Sequence, residues 1–201
     1  MTTVQAAELL RTKFLGGAAS DDAQFVLQDF IFAINAARGY KLNKDATDAY
    51  KINGSWEADS TTFETFTSVP VLHNETTDMY YSELPQEPLG LPYGRGIQMI
   101  TPQQDPTSPF FFMMAGENWM FSNLPATYTS YWYDTNNIYY KNIDPKFKAV
   151  SITMIPMFSD SLHDDLVFEV IDLALTQFLK AKGIPNDMNN NSNPNITTNG
   201  N

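Results

Sequence analysis

A buried strand followed by a long helix is the clearest pattern of apolar and polar positions in the chain. Residues 150–155 are rich in β-branched side chains and are followed by Pro156, which has no N–H to donate to a β-ladder. From Ser161 onward the apolar residues recur every three or four positions, which is the period of a helix face. The spacing therefore predicts a helix from Ser161 to Lys182, with Val167, Val170, Ile171, Ala174 and Phe178 on its buried face.

The ends of this helix carry recognisable signals. Ser161 and Asp164 resemble a capping box, and Gly183 followed by Pro185 is typical of a helix C-terminus. Further leucines and Phe168 widen the apolar surface beyond one stripe, so we expect the helix to pack on the sheet and to be covered on more than one side. On this interpretation Phe178→Ala costs about 3–5 kcal/mol of stability.

Two further helices are predicted at the N-terminus. Thr2 or Thr3 is expected to cap the first helix, which ends before Gly16. The second is expected to open at residues 20–22 and to stop near Gly39. Its sequence is apolar nearly all round, so it needs neighbours on several sides, for which its own sheet and a neighbouring subunit are the candidates.

The middle of the chain predicts β-structure punctuated by turns. Asn53-Gly54 is the strongest short signal for a hairpin, and residues 109–114 form an apolar run that indicates a buried strand. Residues 134–137 are expected to form a four-residue turn between two tyrosine-rich strands.

Together these patterns predict an α+β fold with a mainly antiparallel β region of six to eight strands. Residues 1–39 are expected to form two N-terminal helices, 40–158 the β-rich region, and 159–187 the one long C-terminal helix packed on the sheet. Residues 188–201 are expected to be an extended or disordered arm. The predicted structural core comprises Phe25, Phe30, Ile152, Met154, Val167, Val170, Ile171 and Phe178.

The C-terminal arm is nearly all asparagine, with serine, threonine, proline and glycine added. After Met188 its one large apolar residue is Ile196, so the segment cannot form a core of its own. Two interpretations stay open: a frayed terminus, or an arm that becomes ordered on a partner.

Composition and charge exclude several classes of function. The chain has 201 residues, 43% of them hydrophobic, which is enough for a real core. Its 12 basic and 23 acidic residues give a net charge of −11, which argues against a surface built to hold nucleic-acid phosphates. The same charge suits either plain solubility or a surface past which DNA slides without sticking. The absence of cysteine excludes disulfides and thiolate chemistry, and no apolar run predicts a signal peptide or a membrane span.

No reaction centre is predicted. His163 stands beside Asp164 and Asp165, but acidic residues at a helix start are expected from the helix dipole alone, so a metal site there is disfavoured. Residues 90–96 contain glycines but also leucine, proline and tyrosine, which make a poor phosphate cradle. Since no Gly-x-Ser-x-Gly motif occurs either, we predict no enzyme activity, no catalytic residues, no metal and no cofactor.

Aromatic residues are concentrated in the presumed sheet. Neighbouring residues of a strand point to opposite faces, so Tyr139 and Tyr140 cannot both enter one core. The tyrosine face is interpreted as a subunit interface, a glycan-binding platform or ordinary surface, and all three stay open. Arg95, between two glycines, is a candidate bidentate donor to a neighbouring acidic surface. The candidate interface residues are Phe32, Arg95, Tyr131, Trp132, Tyr133, Tyr139, Tyr140 and Ile196.

Four segments of the chain are distinctive: LPQEPLGLPYGRGI at 84–97, YWYDTNNIY at 131–139, MIP at 154–156 leading into LHDDL at 162–166, and IPND at 184–187. These segments resemble structural proteins of crAss-like phages, and in particular their tail ring proteins. They cover most of the chain from Tyr80 onward and consist of turn and strand residues.

The resemblance implies a virion protein of the phage tail or neck, made in the cytoplasm of the bacterial host. It implies assembly with itself into a ring, a homododecamer like the portal, with the portal protein and neighbouring tail ring proteins as partners. Genomic DNA would pass through the lumen without specific binding, and no membrane, cofactor or catalytic residue is involved. The alternative is a monomeric glycan-binding module that uses the exposed tyrosine face.

Overall fold

The computed structural model describes residues 1–16, 25–56, 58–113 and 128–181 of the chain. Within these ranges it confirms the predicted α+β fold, with three α-helices and two mostly antiparallel sheets of eight strands in total. The elements in order are α1 (Thr3–Phe14), α2 (Leu27–Asn53), β1 (Glu64–Pro70), β2 (Leu72–Asn74), β3 (Met79–Glu83), β4 (Ile97–Pro102), β5 (Phe111–Phe112), β6 (Ser130–Asp134), β7 (Asn137–Lys141), β8 (Ala149–Met154) and α3 (Asp164–Ala181).

The chain divides into two compact units. Met1–Arg38 and the chain from Asp160 onward form the helical unit, and Gly39–Ser159 forms the sheet unit. The N-terminal and C-terminal helical segments, separate in the sequence, thus come together in one unit.

The helical unit has a core of its own, built from α1, the first part of α2, and α3. Thr2 caps α1 in a capping box, in which its side chain accepts a hydrogen bond from the Gln5 N–H and its own N–H donates to the Gln5 side chain. The start of α1 is tied to the segment before α3, because the Thr3 N–H donates to the Asp160 carbonyl oxygen at 2.9 Å. The buried residues of this core are Ala6, Ala7, Leu10, Phe30, Ile34, Ala37, Leu162, Val167, Val170, Ile171 and Ala174.

Four phenylalanines close one side of the helical core. Phe30 stacks on Phe178 with ring centroids 5.1 Å apart, while Phe14 and Phe25 each meet Phe178 edge-on at 5.2 Å. Phe30 is fully buried, whereas Phe25 and Phe178 are partly buried and pack against the core. Such aromatic pairs stabilise a core beyond the area that they bury.

The sheet unit contains a three-stranded sheet in the order β1-β8-β4 and a five-stranded sheet in the order β2-β3-β7-β6-β5. All pairings are antiparallel except β5 with β6, which is parallel. The predicted strand at 150–155 is the central strand β8, and its alternating residues Ile152 and Met154 are fully buried. Both sheets contribute to one core, whose buried residues are Val69, Ile97, Ile100, Phe110, Tyr131, Ile138, Tyr140, Ile143, Val150, Ile152 and Met154.

Helix α2 does not stop near Gly39 but continues to Asn53. The buried period runs on through Leu42 and Ala46, which outweighs the roughly 1 kcal/mol cost of a glycine inside a helix. Gly39 also allows a close approach, because a Cβ at this position would lie 3.1 Å from the Leu89 side chain.

The Asn53-Gly54 pair ends α2 instead of turning a β-hairpin. Gly54 has φ of 68° and its N–H donates to the Tyr50 carbonyl oxygen at 3.0 Å, which is the geometry of a helix C-cap. The hairpin prediction is wrong because a hairpin turn and a helix C-cap both require a glycine with positive φ.

Two predictions about α3 and β5 are also corrected. Helix α3 begins at Asp164 and not at Ser161, which lies in an isolated β-bridge with Thr2. The buried residues of α3 belong to the helical core with α1 and α2. Of the apolar run at 109–114, the described residues 109–113 contain only the two-residue strand β5, in which Phe111 is exposed.

Several predicted features lie outside the described residues. They are the opening of the second helix at 20–22, the C-terminal signals Gly183 and Pro185, and the arm at 188–201 with Ile196. None of the described helices is long and apolar enough to cross a membrane.

Candidate interaction surfaces

The five-stranded sheet carries one row of aromatic residues on each face. Tyr80, Tyr140 and Tyr131 lie opposite one another across β3, β7 and β6 and point into the core. Tyr131 is 1% exposed and Tyr140 is 4% exposed, so their prediction as interface residues is wrong. Their strand positions share the face of the fully buried Ile138, and that face is the inner one. Tyr133 is on this face too and is half-buried against Phe112, at 6.1 Å between ring centroids.

The outer row crosses four strands. Leu72, Tyr81, Tyr139 and Trp132 are consecutive partners across β2, β3, β7 and β6. The rings of Trp132 and Tyr139 stack with centroids 5.6 Å apart and planes 19° apart, and Tyr81 follows at 6.4 Å. The row forms a half-buried aromatic strip, a surface that a partner side chain or a sugar ring could contact.

The buried tyrosine hydroxyls on the inner face serve the structure. The Tyr140 hydroxyl donates to Ser82 Oγ at 2.9 Å, and Ser82 Oγ donates to the Pro70 carbonyl oxygen at 2.7 Å. This chain of hydrogen bonds links β7, β3 and β1 and leaves the Tyr140 oxygen shielded from solvent.

These hydroxyls predict a loss of stability at high pH. Burial raises the pKa of Tyr131 and of Tyr140 above the ordinary value of about 10. In the unfolded chain both phenols ionise near pH 10, while the folded protein keeps them neutral. Their stabilising contribution is therefore complete below about pH 10 and is lost as the pH rises further. Urea unfolding at a series of pH values should show this fall, and Tyr140→Phe should make it shallower; an equally steep fall in the variant would contradict the assignment.

A cavity of about 500 Å³ opens beside Arg95 in the sheet unit. The Arg95 guanidinium lies 5.5 Å from the centre of the Tyr50 ring, and no ion pair within the described residues includes it. The other principal lining residues are Trp56, Phe63, Gln98, Phe112 and Tyr131. The cavity thus combines an aromatic wall with one cation, which suits a partner that brings an aromatic group and a carboxylate together.

Two glycines fix the backbone on either side of Arg95. Gly94 has φ of 69°, and a Cβ added to it would overlap the Phe112 ring. A Cβ on Gly96 would overlap the carbonyl oxygen of Leu89. The loop therefore has no room for side chains on either side of the arginine, and the sequence Gly-Arg-Gly holds Arg95 at the cavity edge.

A second cavity, of about 510 Å³, lies near the exposed pair Phe111 and Tyr128. Its two carboxylates, those of Asp105 and Asp144, accept hydrogen bonds from residues of the turns in which they lie. Hydrogen bonds from Thr107 and Ser108 lower the pKa of Asp105, and a hydrogen bond from Lys146 lowers that of Asp144. These acids stabilise loops and are not arranged around a common centre.

The histidine and acidic residues considered as a metal site do not converge. His163 Nδ1 lies 3.5 Å from Asp165, while Asp164 pairs with the N-terminal amine of Met1 at 3.1 Å. Across the part of the chain that the structure describes, no group of three or more such side chains is placed to hold a metal ion.

Two exposed phenylalanines stand out on the helices. Phe32, a predicted interface residue, is 60% exposed on α2. Phe168, which sequence reasoning assigned to the apolar surface of α3, is 71% exposed. The signal that could have identified it is its spacing from Asp164, Asp165 and Asp172, which places carboxylates on the same side of the helix.

No protein-family model matches this chain, and no curated protein matches it at a significant level.

Proposed function

We propose that the chain is a structural protein of a phage virion, a subunit of a ring in the head-to-tail connector or tail barrel. In this role it joins the portal to the tail and encloses the DNA channel. The observation that carries the proposal is the exposure of large apolar side chains on both units. On the helical unit these are Phe32 and Phe168, and on the sheet unit they include Ile52 and Phe111.

Contiguous apolar patches mark contacts with other proteins, and a single large apolar side chain can serve as an anchor that a pocket of the partner takes up. In a closed ring every contact joins one patch of a copy to a different patch of the next copy, so each subunit needs two separate adhesive surfaces. A chain that exposes phenylalanines on both of its units meets that requirement.

The segments that carry the resemblance to crAss-like phage ring proteins add support. Residues 84–97 contain the loop that positions Arg95, and residues 131–139 contain Trp132 and Tyr139 of the outer aromatic strip. The resemblance and the candidate contact surfaces therefore fall on the same parts of the chain.

The net charge of −11 fits a lining past which DNA moves. Carboxylates facing the lumen repel the phosphates and keep genomic DNA from adhering during ejection. The two ends of the ring would then contact the portal and the neighbouring tail rings.

Cryo-electron microscopy of purified particles, with peptide mass spectrometry to establish that the chain is present, tests the proposal. We expect the chain as a symmetric ring around the tail axis. Its absence from the particle, or its presence away from that axis, would overturn the assignment.

The outer aromatic strip favours a second candidate, a monomeric glycan-binding module. Trp132 and Tyr139, which are half-buried and stack on each other, offer aromatic side chains to a sugar ring. A glycan array probed with the isolated chain separates the candidates: binding that is lost in Trp132→Ala, by a chain that stays monomeric, would support the module and not the ring.

A further inference from the structure

An aromatic side chain surrounded by carboxylates projects from α3. Phe168 is 71% exposed, and Asp164 and Asp172 lie four residues before and after it, so all three side chains share one side of the helix. Asp164 is paired with the N-terminal amine and Asp172 with Lys13 Nζ at 2.8 Å, so both carboxylates are engaged within the chain. Asp165, three residues before Phe168 and 3.5 Å from His163 Nδ1, has a side chain that is 89% exposed and is the carboxylate that a partner can reach. We call Phe168 with these three aspartates the acidic knob.

The Arg95 cavity has the complementary chemistry. Its wall is aromatic, formed by Trp56, Phe63 and Phe112, and Arg95 brings a positive charge to its edge. At about 500 Å³ the cavity is large enough for a phenylalanine ring, and the glycines at 94 and 96 fix the loop that bears the cation.

We propose that the acidic knob of one copy inserts into the Arg95 cavity of the next copy, with Phe168 against the aromatic wall and Asp165 paired with Arg95. This inference rests on the proposed function, since it names the contact that would repeat around the ring. Aromatic anchors seated in pockets, with charged groups at the rim, dominate the energetics of protein interfaces.

The charges of the chain favour a second copy as the occupant. With 23 acidic and 12 basic residues, the chain offers many carboxylates and few cations. A cation at the edge of an aromatic cavity therefore favours binding of a carboxylate that another copy of the chain can supply. The knob and the cavity are different patches, and every copy carries both. Such a contact is heterologous and propagates from copy to copy until the ring closes.

Two variants disable the two sides of the contact separately. Phe168→Ala removes the knob and Arg95→Glu reverses the charge at the cavity, and both side chains are exposed, so folding should be preserved. Sedimentation velocity should show wild type assembling and each variant weakened by about thirtyfold or more. Val4→Asp on α1 and Lys148→Glu in the sheet unit change exposed residues of the same kinds and should assemble like wild type.

Mixing the two disabled variants gives the decisive result. The Phe168→Ala copy keeps an intact cavity and the Arg95→Glu copy keeps an intact knob, so one productive contact remains. The mixture should form a heterodimer that does not grow, although each variant alone stays monomeric. A mixture that remains monomeric, or one that forms rings, would overturn the proposal.

Cross-linking covers the case in which assembly in dilute solution is weak. The chain contains no cysteine, so a variant carrying both Asp164→Cys and Gln98→Cys keeps Phe168, Asp165 and Arg95 and adds one thiol beside the knob and one at the cavity. Mild oxidation of concentrated protein should give a ladder of covalent multimers, whereas either single variant should stay monomeric, because the proposed contact brings unlike positions together. Absence of a ladder would overturn the proposal.

The assembly and cross-linking experiments test the contact between knob and cavity, and they can fail without contradicting the proposed function. If wild type and both variants assemble alike, or if no ladder forms, the knob and cavity do not meet. Particle imaging decides independently whether the chain forms a ring in the virion.

Discussion

Replacing Phe30 by alanine is expected to lower the free energy of unfolding by about 3–5 kcal/mol. Phe30 is 1% exposed and its ring contacts three other phenylalanines, among them Phe178 at 5.1 Å. Removal of the ring leaves a cavity between α1, α2 and α3, and the surrounding helices can collapse into it only in part.

Urea unfolding monitored by circular dichroism measures this loss. Phe168→Ala is the matched control, because it is the same substitution at an exposed position on α3 and should change stability by no more than about 0.5 kcal/mol. Similar midpoints for the two variants would show that the four phenylalanines do not form the core of the helical unit.

The sequence predicts that Phe178→Ala lowers the free energy of unfolding as much as the loss of a fully buried phenylalanine does. In the structure it is partly buried, so we expect Phe178→Ala to lie near the lower end, at about 3 kcal/mol. Because Phe30 and Phe178 stack, the double variant should be less destabilised than the sum of the single ones by about 0.5–1.5 kcal/mol.

The elements that sequence predicted well are those whose signals are local. Strand β8 alternates buried Val150, Ile152 and Met154 with less buried neighbours, and the turn between β6 and β7 lies within the predicted residues 134–137. Helix α1 begins with the predicted cap at Thr2. In each case hydrogen bonds and burial within a few residues decide the conformation.

The errors arose where a distant contact decides between two locally acceptable structures. Gly39 resembles a helix end, but its close approach to Leu89 suits the interior of α2. Ser161 resembles a helix cap, but its bridge with Thr2 holds it outside α3. Neither partner can be identified from the residues around the glycine or the serine.

The two faces of the tyrosine-rich strands show how much the alternation of side chains along a strand can predict. Alternation established that Tyr139 and Tyr140 point to opposite faces but did not assign the faces. The polar residues Asn137 and Lys141 share the face of Tyr139, and Ile138 shares that of Tyr140, so this signal was present in the sequence. It would have placed Tyr140 in the core and Tyr139 outside.

The Arg95 cavity could not have been predicted in the same way. Its walls come from residues 56, 58, 63, 94, 95, 97, 98, 112 and 131, which only the tertiary fold brings together. The sequence indicated an arginine between two glycines, but the aromatic wall that gives Arg95 its setting is a product of the tertiary fold.

Gly94→Ala is expected to lower the free energy of unfolding by about 2–4 kcal/mol. Gly94 has φ of 69°, a conformation that disfavours any residue with a Cβ, and the added methyl group would overlap the Phe112 ring. Strain in the backbone and displacement of Phe112 therefore act together. The same displacement alters the wall of the Arg95 cavity, so the variant should also assemble less readily than wild type.

Gly90→Ala is the control within the same loop, because a Cβ at Gly90 would have no atom within 4 Å. It should change stability by no more than about 0.5 kcal/mol and leave assembly unaffected. Urea unfolding measures the first quantity and sedimentation velocity the second. If Gly94→Ala matched Gly90→Ala in both, the loop would not be held against Phe112, and Arg95 would lose the rigid setting on which its proposed contact with a second copy depends.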